Sequence, residues 1–566
     1  MMKKKKFLFS VAAAVAAAVV GVVSYGCAQH KAPPPEDLTS CSEASAGSAP
    51  VERMYVYKSH GPSVKAKPCA RSVDKCATIA YCMAPVLAAS EERVSPVSWN
   101  TEEYRTVGEQ PFVAVATNPL STFGADVDTA GYANMRRMIM SERRLPPRES
   151  VRLEELINYF RYDYPQPAEG EVLRPHFEMK SAPWNPAHQL LLIGVQAKAA
   201  PKSELPPSHY VFLIDNSGSM EHVFPLVKSA MTTLAKQLRK SDKVSMITYG
   251  GGVRILLEGC SDAEKVCRKI EELEASGYTP GGEAIQTAYR LAKEHFITNG
   301  NNRIVLITDG DFNVGASSEA ALVEMVDRER KSGVYLSVAG CGMGNYKDNK
   351  VKMLANKGNG NYFYLDDERE AKRVFAEKLC GNMYTVARDV KFQLEFHPGK
   401  VFAYRLLGYE LRRMADRDFR DDERDSGEVG VGHQVTALYE IVPADAPEKV
   451  KDAAVPGRKP LKYTDAKTDK SGELLTFRMR WQPPQVGGKA QEREVAVSAC
   501  PETSANWEWA AAVAEFGLAL RGSTSAPRAS FERAEKRARK FIGEDPDGSR
   551  AEFLVLARHA GELSGK

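Results

Sequence analysis

Tyr210-Val211-Phe212-Leu213-Ile214-Asp215-Asn216-Ser217-Gly218-Ser219-Met220 decides the reading of this chain. The unbroken apolar run from Tyr210 to Ile214 is the mark of a strand buried on both faces, as in a parallel sheet. At its carboxyl end stand one carboxylate and two hydroxyls, and open α/β sheets bind ligands outside the carboxyl ends of their strands. Short, hard oxygen donors suit Mg²⁺ or Mn²⁺. Ser and Asp at this place also suit a helix N-cap, so the neighbouring loops have to decide.

Two of them point to the same chemistry. Gly277-Tyr278-Thr279-Pro280-Gly281-Gly282 puts a threonine in a Gly-rich loop before a helix, and Thr308-Asp309-Gly310 follows the apolar strand Arg303 to Ile307. Asp309 therefore occupies another strand's carboxyl end, and the three loops are expected on one edge of the sheet. Around them strands alternate with helices. Val223, Val227, Ala230, Leu234 and Leu238 fall on one helical face; strands are expected over Val244–Tyr249, Val253–Leu257, Val334–Ala339 and Tyr362–Tyr364, and helices over 262–275, 283–297 and 318–331. Such alternation predicts an α/β fold with a doubly wound, mostly parallel sheet.

Outward from this centre the texture changes. Upstream, 132–140 and 150–162 read as helices broken by Leu145-Pro146-Pro147, and Leu190–Val195 as a strand after the turn Pro183-Trp184-Asn185-Pro186. Downstream, 390–396, 433–442 and 474–481 alternate polar and apolar residues as antiparallel strands do, and helices are expected over 506–521, 528–542 and 548–561. Trp507 and Trp509 open the first of these and read as core. The resulting division is a leader over 1–26, an Ala/Pro/Ser-rich tether over 27–118, an α+β region over 119–208, the central domain over 209–383, and a β-rich domain ending in helices over 384–566.

The ordered set Asp215-x-Ser217-x-Ser219, Thr279 and Asp309 resembles the metal-ion-dependent adhesion site of von Willebrand factor A domains. Further segments are similar to the bacterial YfbK-type family of such proteins: Ser121-Thr122-Phe123 with Asp126–Thr129, Arg152–Phe160, Pro183–Pro186, Asp309–Gly315, Tyr404–Glu410, Gly432–Glu440 and the stretch from Ala510 to Leu554. The resemblance covers about residues 119–563. It implies Mg²⁺ or Mn²⁺ held by Ser217, Ser219 and Thr279 directly or nearly so, and by Asp215 and Asp309 directly or through water. It implies an open coordination position for a carboxylate from a protein or peptide partner, and no catalysis. The alternatives are a structural envelope protein whose ion only ties three loops together, and a metal-assisted hydrolase.

Other motifs carry less. Asp126-Val127-Asp128-Thr129 has the spacing of a phosphatase motif, but no buried strand precedes it, and it reads as an N-cap for the next helix. The acidic stretch Asp416–Asp425 is interleaved with arginines and reads as a solvated, self-paired loop, with Ca²⁺ as the alternative. No zinc-protease helix and no phosphate-binding Gly-rich loop with its lysine occurs, which leaves no case for nucleotide. The chain has 566 residues, 43% hydrophobic and 27% charged, a composition that supports packed cores. Its net charge of +4 comes from Lys3–Lys6; without them the balance is zero, which gives no electrostatic case for nucleic acid.

Those lysines, the apolar stretch Phe7–Val23 and the junction Gly26-Cys27 read as a secretory leader, with a plain membrane anchor as the alternative reading. Gly-Cys at that place resembles the lipobox of bacterial lipoproteins, although Ser24 stands where leucine is usual, so Cys27 is the expected lipidation site. Ala28 after it, by resemblance to bacterial sorting patterns, favours the outer over the inner membrane. An exported chain permits disulfides among its 10 cysteines. Cys41, Cys69, Cys76 and Cys82 allow three pairings that sequence does not separate, and Cys260 is placed to pair with Cys267. Mass spectrometry of the mature amino terminus is expected to find a lipidated Cys27; an intact Met1, or cleavage elsewhere without lipid, contradicts the lipoprotein reading.

Overall fold

The central strands are as apolar as the sequence suggests because they are covered on both sides. The computed structural model describes residues 102–566 apart from 107, 276, 278–280, 311–318, 344–345, 458–471, 486, 499–502 and 566. Within it, β1 (Ser208–Ile214), β2 (Lys243–Thr248), β3 (Arg254–Cys260), β4 (Asn301–Thr308), β5 (Val334–Cys341) and β6 (Asn359–Leu365) form one sheet in the order β6-β5-β4-β1-β2-β3. All neighbours are parallel except β2 and β3. Tyr210, Phe212 and Ile214 face one apolar core while Val211 and Leu213 face another. The period-2 geometry of a strand thus feeds two helical layers, and the doubly wound α/β expectation holds.

The flanking regions do not form two separate bodies. Leu120–Gly124 pairs with Thr385–Phe396, and Asn185–Ala197 pairs with Gln434–Pro443. Each of these pairs joins chain from before the central domain to chain from after it. The result is two five-stranded antiparallel sheets packed face to face over Phe123, Ile193, Phe392, Phe396 and Tyr439. The α/β domain is inserted between the halves of that sandwich, leaving after Ala197 and returning at Thr385. The helices Ala505–Arg521, Phe531–Lys540 and Ser549–Ser564 cover the outer face of one sheet, where Leu190 and Leu192 meet the fully buried Trp507 and Trp509. The folded chain also begins earlier than the tether reading allows. Val113–Ala114 pairs with Val401–Leu407, and Gln110 Nε2 donates to the Gly408 carbonyl at 2.6 Å. Among the described residues no helix is long and apolar enough to cross a membrane. Cys27 and the cysteines through Cys82 lie outside the described residues.

Three local expectations fail for physical reasons. Asp126 and Asp128 do not cap the helix Ala130–Met140: Thr129 occupies the cap position and makes no side-chain cap bond. Both carboxylates instead turn to Lys352 of the central domain, at 3.3 and 3.1 Å, and Glu155 joins them at 2.5 Å. Arg412 adds a second cation, 2.9 Å from Asp126, and Arg152 pairs with Glu155 at 3.1 Å and with Asp348. Burial alone raises the Asp126 carboxyl, but Arg412 and Lys352 outweigh it and hold its pKa below the usual range. Burial beside Asp126 pushes Asp128 up to about 6. The acidic loop, too, pairs mostly with other elements: Asp425 with Arg330 at 2.9 Å and Asp422 with Arg480 at 2.7 Å. Cys260 and Cys267 form no disulfide with each other, and among the described residues both are free, the Cys260 thiol pointing to the Asp262 carbonyl at 3.7 Å.

Lys352→Ala leaves three buried carboxylates short of their cation, a loss of about 3–5 kcal/mol. A denaturation midpoint equal to wild type contradicts this account of the seam. Glu428 gives the opposite case. It is buried, neither carboxylate oxygen has a hydrogen-bond partner among the described residues, and burial raises its pKa well above the ordinary value. A raised folded pKa contributes stability that is present below the ordinary glutamate value and lost as pH rises toward the folded one. Glu428→Gln is therefore expected to gain thermal stability relative to wild type as pH is raised from 5 to 8, the difference widening with pH. A constant difference contradicts it.

Candidate functional site

The carboxyl ends of β1 and β4 are held in register beyond the strands themselves. The Asp215 amide donates to the Ile307 carbonyl at 2.9 Å, so Asp215 still belongs to the sheet. Its carboxylate accepts three hydrogen bonds, which leaves acceptor capacity for an ion. Oδ1 accepts the Ser217 amide at 3.0 Å, and Oδ2 accepts the Tyr249 hydroxyl at 3.1 Å and the Thr308 hydroxyl at 3.2 Å. Burial raises the Asp215 pKa; Ser217 opposes the shift and the nearby Asp309 carboxylate adds to it. Two carboxylates brought together at low exposure are electrostatically unfavourable until a cation joins them.

Ser217 occupies the N-cap position of the short helix Gly218–Val223, yet its side chain caps nothing. Its Oγ lies 3.1 Å from the Ser219 Oγ instead. The capping alternative therefore fails where the ligand reading needs it to fail. Met220 anchors the turn beneath: it is fully buried and its sulfur meets the Cys341 thiol at 3.9 Å. Burial, with Asp309 and Asp215 nearby, pushes the Cys341 thiol well above its ordinary pKa, so it stays protonated beside the site and offers no thiolate.

Asp309 is 6% exposed at the end of β4. Gly310 follows with φ +88°, and a Cβ there would stand 2.7 Å from the Lys347 backbone nitrogen, so both conformation and space call for glycine. The third loop approaches from the other side. The Gly277 carbonyl accepts the Gly218 amide at 3.4 Å, and a Cβ on Gly277 would stand 2.3 Å from the Gly250 carbonyl. Thr279 lies outside the described residues. The structure thus brings Asp215, Ser217, Ser219 and Asp309 to one corner of the sheet, against the loop that carries Thr279.

Sequence reasoning missed the rim. Gly218, Ser219, Glu221, His222, Asp309 and Met343 line a shallow open depression over this corner. Met343 is 54% exposed, an apolar side chain held in solvent beside the hydroxyls. Its only signal was its place just beyond β5, at a carboxyl end next to Asp309; a Cβ on Gly342 would stand 3.1 Å from the Asp309 Cβ.

One other acidic group invites a metal. Ligand oxygens of Asp126, Glu154 and Glu155 lie within 4.8 Å of one another. That cluster already holds its cations, the Lys352 ammonium and the Arg412 guanidinium, so it is an ion-pair core of the seam. At the β1 corner, among the described residues, the Asp215 and Asp309 carboxylates stand beside the Ser217 and Ser219 hydroxyls.

Comparison with known proteins agrees with this architecture. A family model for the C-terminal part of the uncharacterized protein YfbK matches residues 381–563, a von Willebrand factor model residues 98–192, and a von Willebrand factor type A domain model residues 210–311. The uncharacterized protein YfbK of Escherichia coli strain K12 is 38% identical over 472 residues, 81% of this chain and 80% of that protein. The uncharacterized protein sll0103 of Synechocystis is 27% identical over 33% of this chain and 44% of its own length. Among solved structures, a von Willebrand factor type A protein from Catenulispora acidiphila is 15% identical and covers 68% of this chain and 97% of its own, with a TM-score of 0.38. The mussel byssus proximal thread matrix protein 1, solved with zinc in its adhesion motif, is 20% identical over 28% of this chain and 42% of its own, with a TM-score of 0.25. With a von Willebrand factor A domain at its centre and a relative of that identity along most of its length, the chain belongs to the YfbK family.

Proposed function

We propose that this protein is a lipid-anchored envelope protein that captures a protein or peptide partner at the β1 corner of its von Willebrand factor A domain. The observation that carries the reading is the pairing of Asp215 with Asp309 beside the uncapped hydroxyls of Ser217 and Ser219. Together with Thr279 these side chains fit Mg²⁺ or Mn²⁺, a hard cation that keeps open positions and takes oxygen ligands. Bound there, such an ion supplies a coordination position for a partner's carboxylate. Asp215 is oriented by Tyr249 and Thr308, and the two serines present their oxygens outward on a turn fixed by Met220. The partner's remaining contacts fall on Met343 and Glu221 at the rim.

We read the site as a binding rather than a catalytic one. His222 is the one basic candidate at the rim, but it is exposed and no hydrogen bond among the described residues orients it. A general base is normally held by a third group. Anchoring through Cys27, with the outer membrane favoured by Ala28, belongs to the same proposal, as does the exclusion of nucleotide and nucleic acid as ligands.

Asp215→Ala is expected to abolish Mg²⁺ and Mn²⁺ binding in isothermal titration and to cut partner capture from envelope extract to the level seen with chelator. The metal-free domain is expected to stay folded by circular dichroism, less stable by about 1–3 kcal/mol for each of the Tyr249 and Thr308 hydroxyls left without its acceptor. Unchanged metal affinity refutes the ligand assignment. Lost metal binding with full partner capture refutes the mechanism and leaves only an ion that ties the loops together.

A further inference from the structure

The seam between the inserted domain and the sandwich opens on one side into a cleft of about 390 Å³. Its walls come from both bodies. The last helices of the inserted domain supply Arg373, Lys378 and Asn382; the sandwich supplies Arg161, Gln166 and His433. A cleft of this size holds a small organic ligand.

Its charge is unbalanced in an unusual way. Lys378 donates one hydrogen bond, to the Tyr159 carbonyl at 3.1 Å, and among the described residues it has no carboxylate within ion-pair distance. Two of its three donors are therefore open. Arg161 is exposed, and its guanidinium has no hydrogen bond or ion pair among the described residues. Arg373 is the third cation. It lies 3.5 Å over the Tyr159 ring and is offset by Glu370 at 3.2 Å and Asp547 at 4.0 Å. Burial, then Arg373, depress the Lys378 pKa well below that of an ordinary lysine; Glu370 and Asp547 oppose the shift, and Arg161 adds the smallest share to it. Two carboxylates also line the cleft: Glu377 is drawn to Lys372 at 3.5 Å, and Asp163 stands exposed at the mouth. His433 is held neutral, its pKa lowered to about 3 by burial with Lys378 and Arg303 nearby, and its Nε2 meets Asn382 at 3.3 Å.

We propose that this cleft is an anion site for a phosphoryl group, gripped by Lys378 from the inserted domain and Arg161 from the sandwich. A multiply charged oxyanion supplies what the unpaired donors lack, and Arg and Lys are the side chains that recognise phosphate. The cleft exceeds the bare ion, so a small phosphate monoester fits with its organic part toward the mouth. The ligand bridges the two bodies at a place remote in sequence from the Asp215 corner, and the site does not depend on the function proposed there.

The test uses the full mature chain in EDTA, which keeps divalent cations from recruiting phosphate elsewhere. Inorganic phosphate and glycerol 3-phosphate are titrated in separate arms by calorimetry and thermal shift, with acetate at matched ionic strength as control. Saturable binding and a rise in melting temperature are expected in at least one phosphate arm, and which is tighter tells free phosphate from ester. Lys378→Met is expected to weaken binding at least tenfold. Arg161→Gln, an exposed position whose change leaves the fold intact, is expected to weaken it severalfold, and Asp215→Ala to leave it unchanged. No saturable binding in either arm, an equal response to acetate, or wild-type affinity in both cleft variants overturns the proposal.

Discussion

The Lys352 ammonium, buried among Asp126, Asp128 and Glu155, is the contact on which the arrangement of the whole molecule turns. An inserted domain is tied to its host by two chain crossings, and two crossings alone leave it free to rock. Lys352 belongs to the helix Asp348–Lys357 of the inserted domain, and its three carboxylates belong to the sandwich half of the chain. Removing these charges from water is costly, and their mutual attraction offsets that cost only when every one finds its partner. Arg152 and Arg412 add two further cations, so the pairing depends on one relative position of the two bodies.

That position bears on the site. The helix carrying Lys352 begins at Asp348, which accepts both Arg152 of the sandwich and the Tyr362 hydroxyl, the latter at 2.7 Å. Tyr362 in turn meets Tyr346 at 2.6 Å, and the Tyr346 ring packs 3.1 Å from where a Gly310 Cβ would stand. Gly310 follows Asp309. One short stretch, Tyr346 to Lys352, therefore touches the ligand loop at one end and the interdomain ion cluster at the other. The corner that presents Asp309 is built against a segment whose footing is the sandwich.

Much of this was legible in the sequence, and the boundary of legibility is physical. Tyr210–Ile214 announces a doubly covered strand because a parallel strand leaves no polar face to show. Asp215, Ser217, Ser219 and Asp309 were readable because strand ends and tight loops place side chains by local geometry alone. Trp507 and Trp509 were readable as core by bulk. The pairing of Leu120–Gly124 with Thr385–Phe396 was not, because strand partners distant in sequence leave no mark in either strand's own pattern. Asp126 and Asp128 misled for the same reason: a carboxylate before a helix looks like a cap, and only Lys352, far along the chain, shows otherwise. Met343 and His222 went unread because a rim is defined by what it surrounds.

The seam carries charge in three distinct states, and their difference is informative. At Lys352 three cations offset most of the carboxylate charge, and their pairing spans the two bodies. At Glu428 an acid is buried without a hydrogen bond among the described residues, near a buried Arg303 whose own pKa burial lowers, so both charges are held short of full pairing. At Lys378 a half-buried base has one hydrogen bond among the described residues and two like-charged neighbours. Charges held from water without full pairing cost stability, so these two places weaken the seam where Lys352 strengthens it. Neither Glu428 nor Lys378 makes an ion pair with the Lys352 cluster among the described residues, so the anchoring of the two bodies does not rest on them.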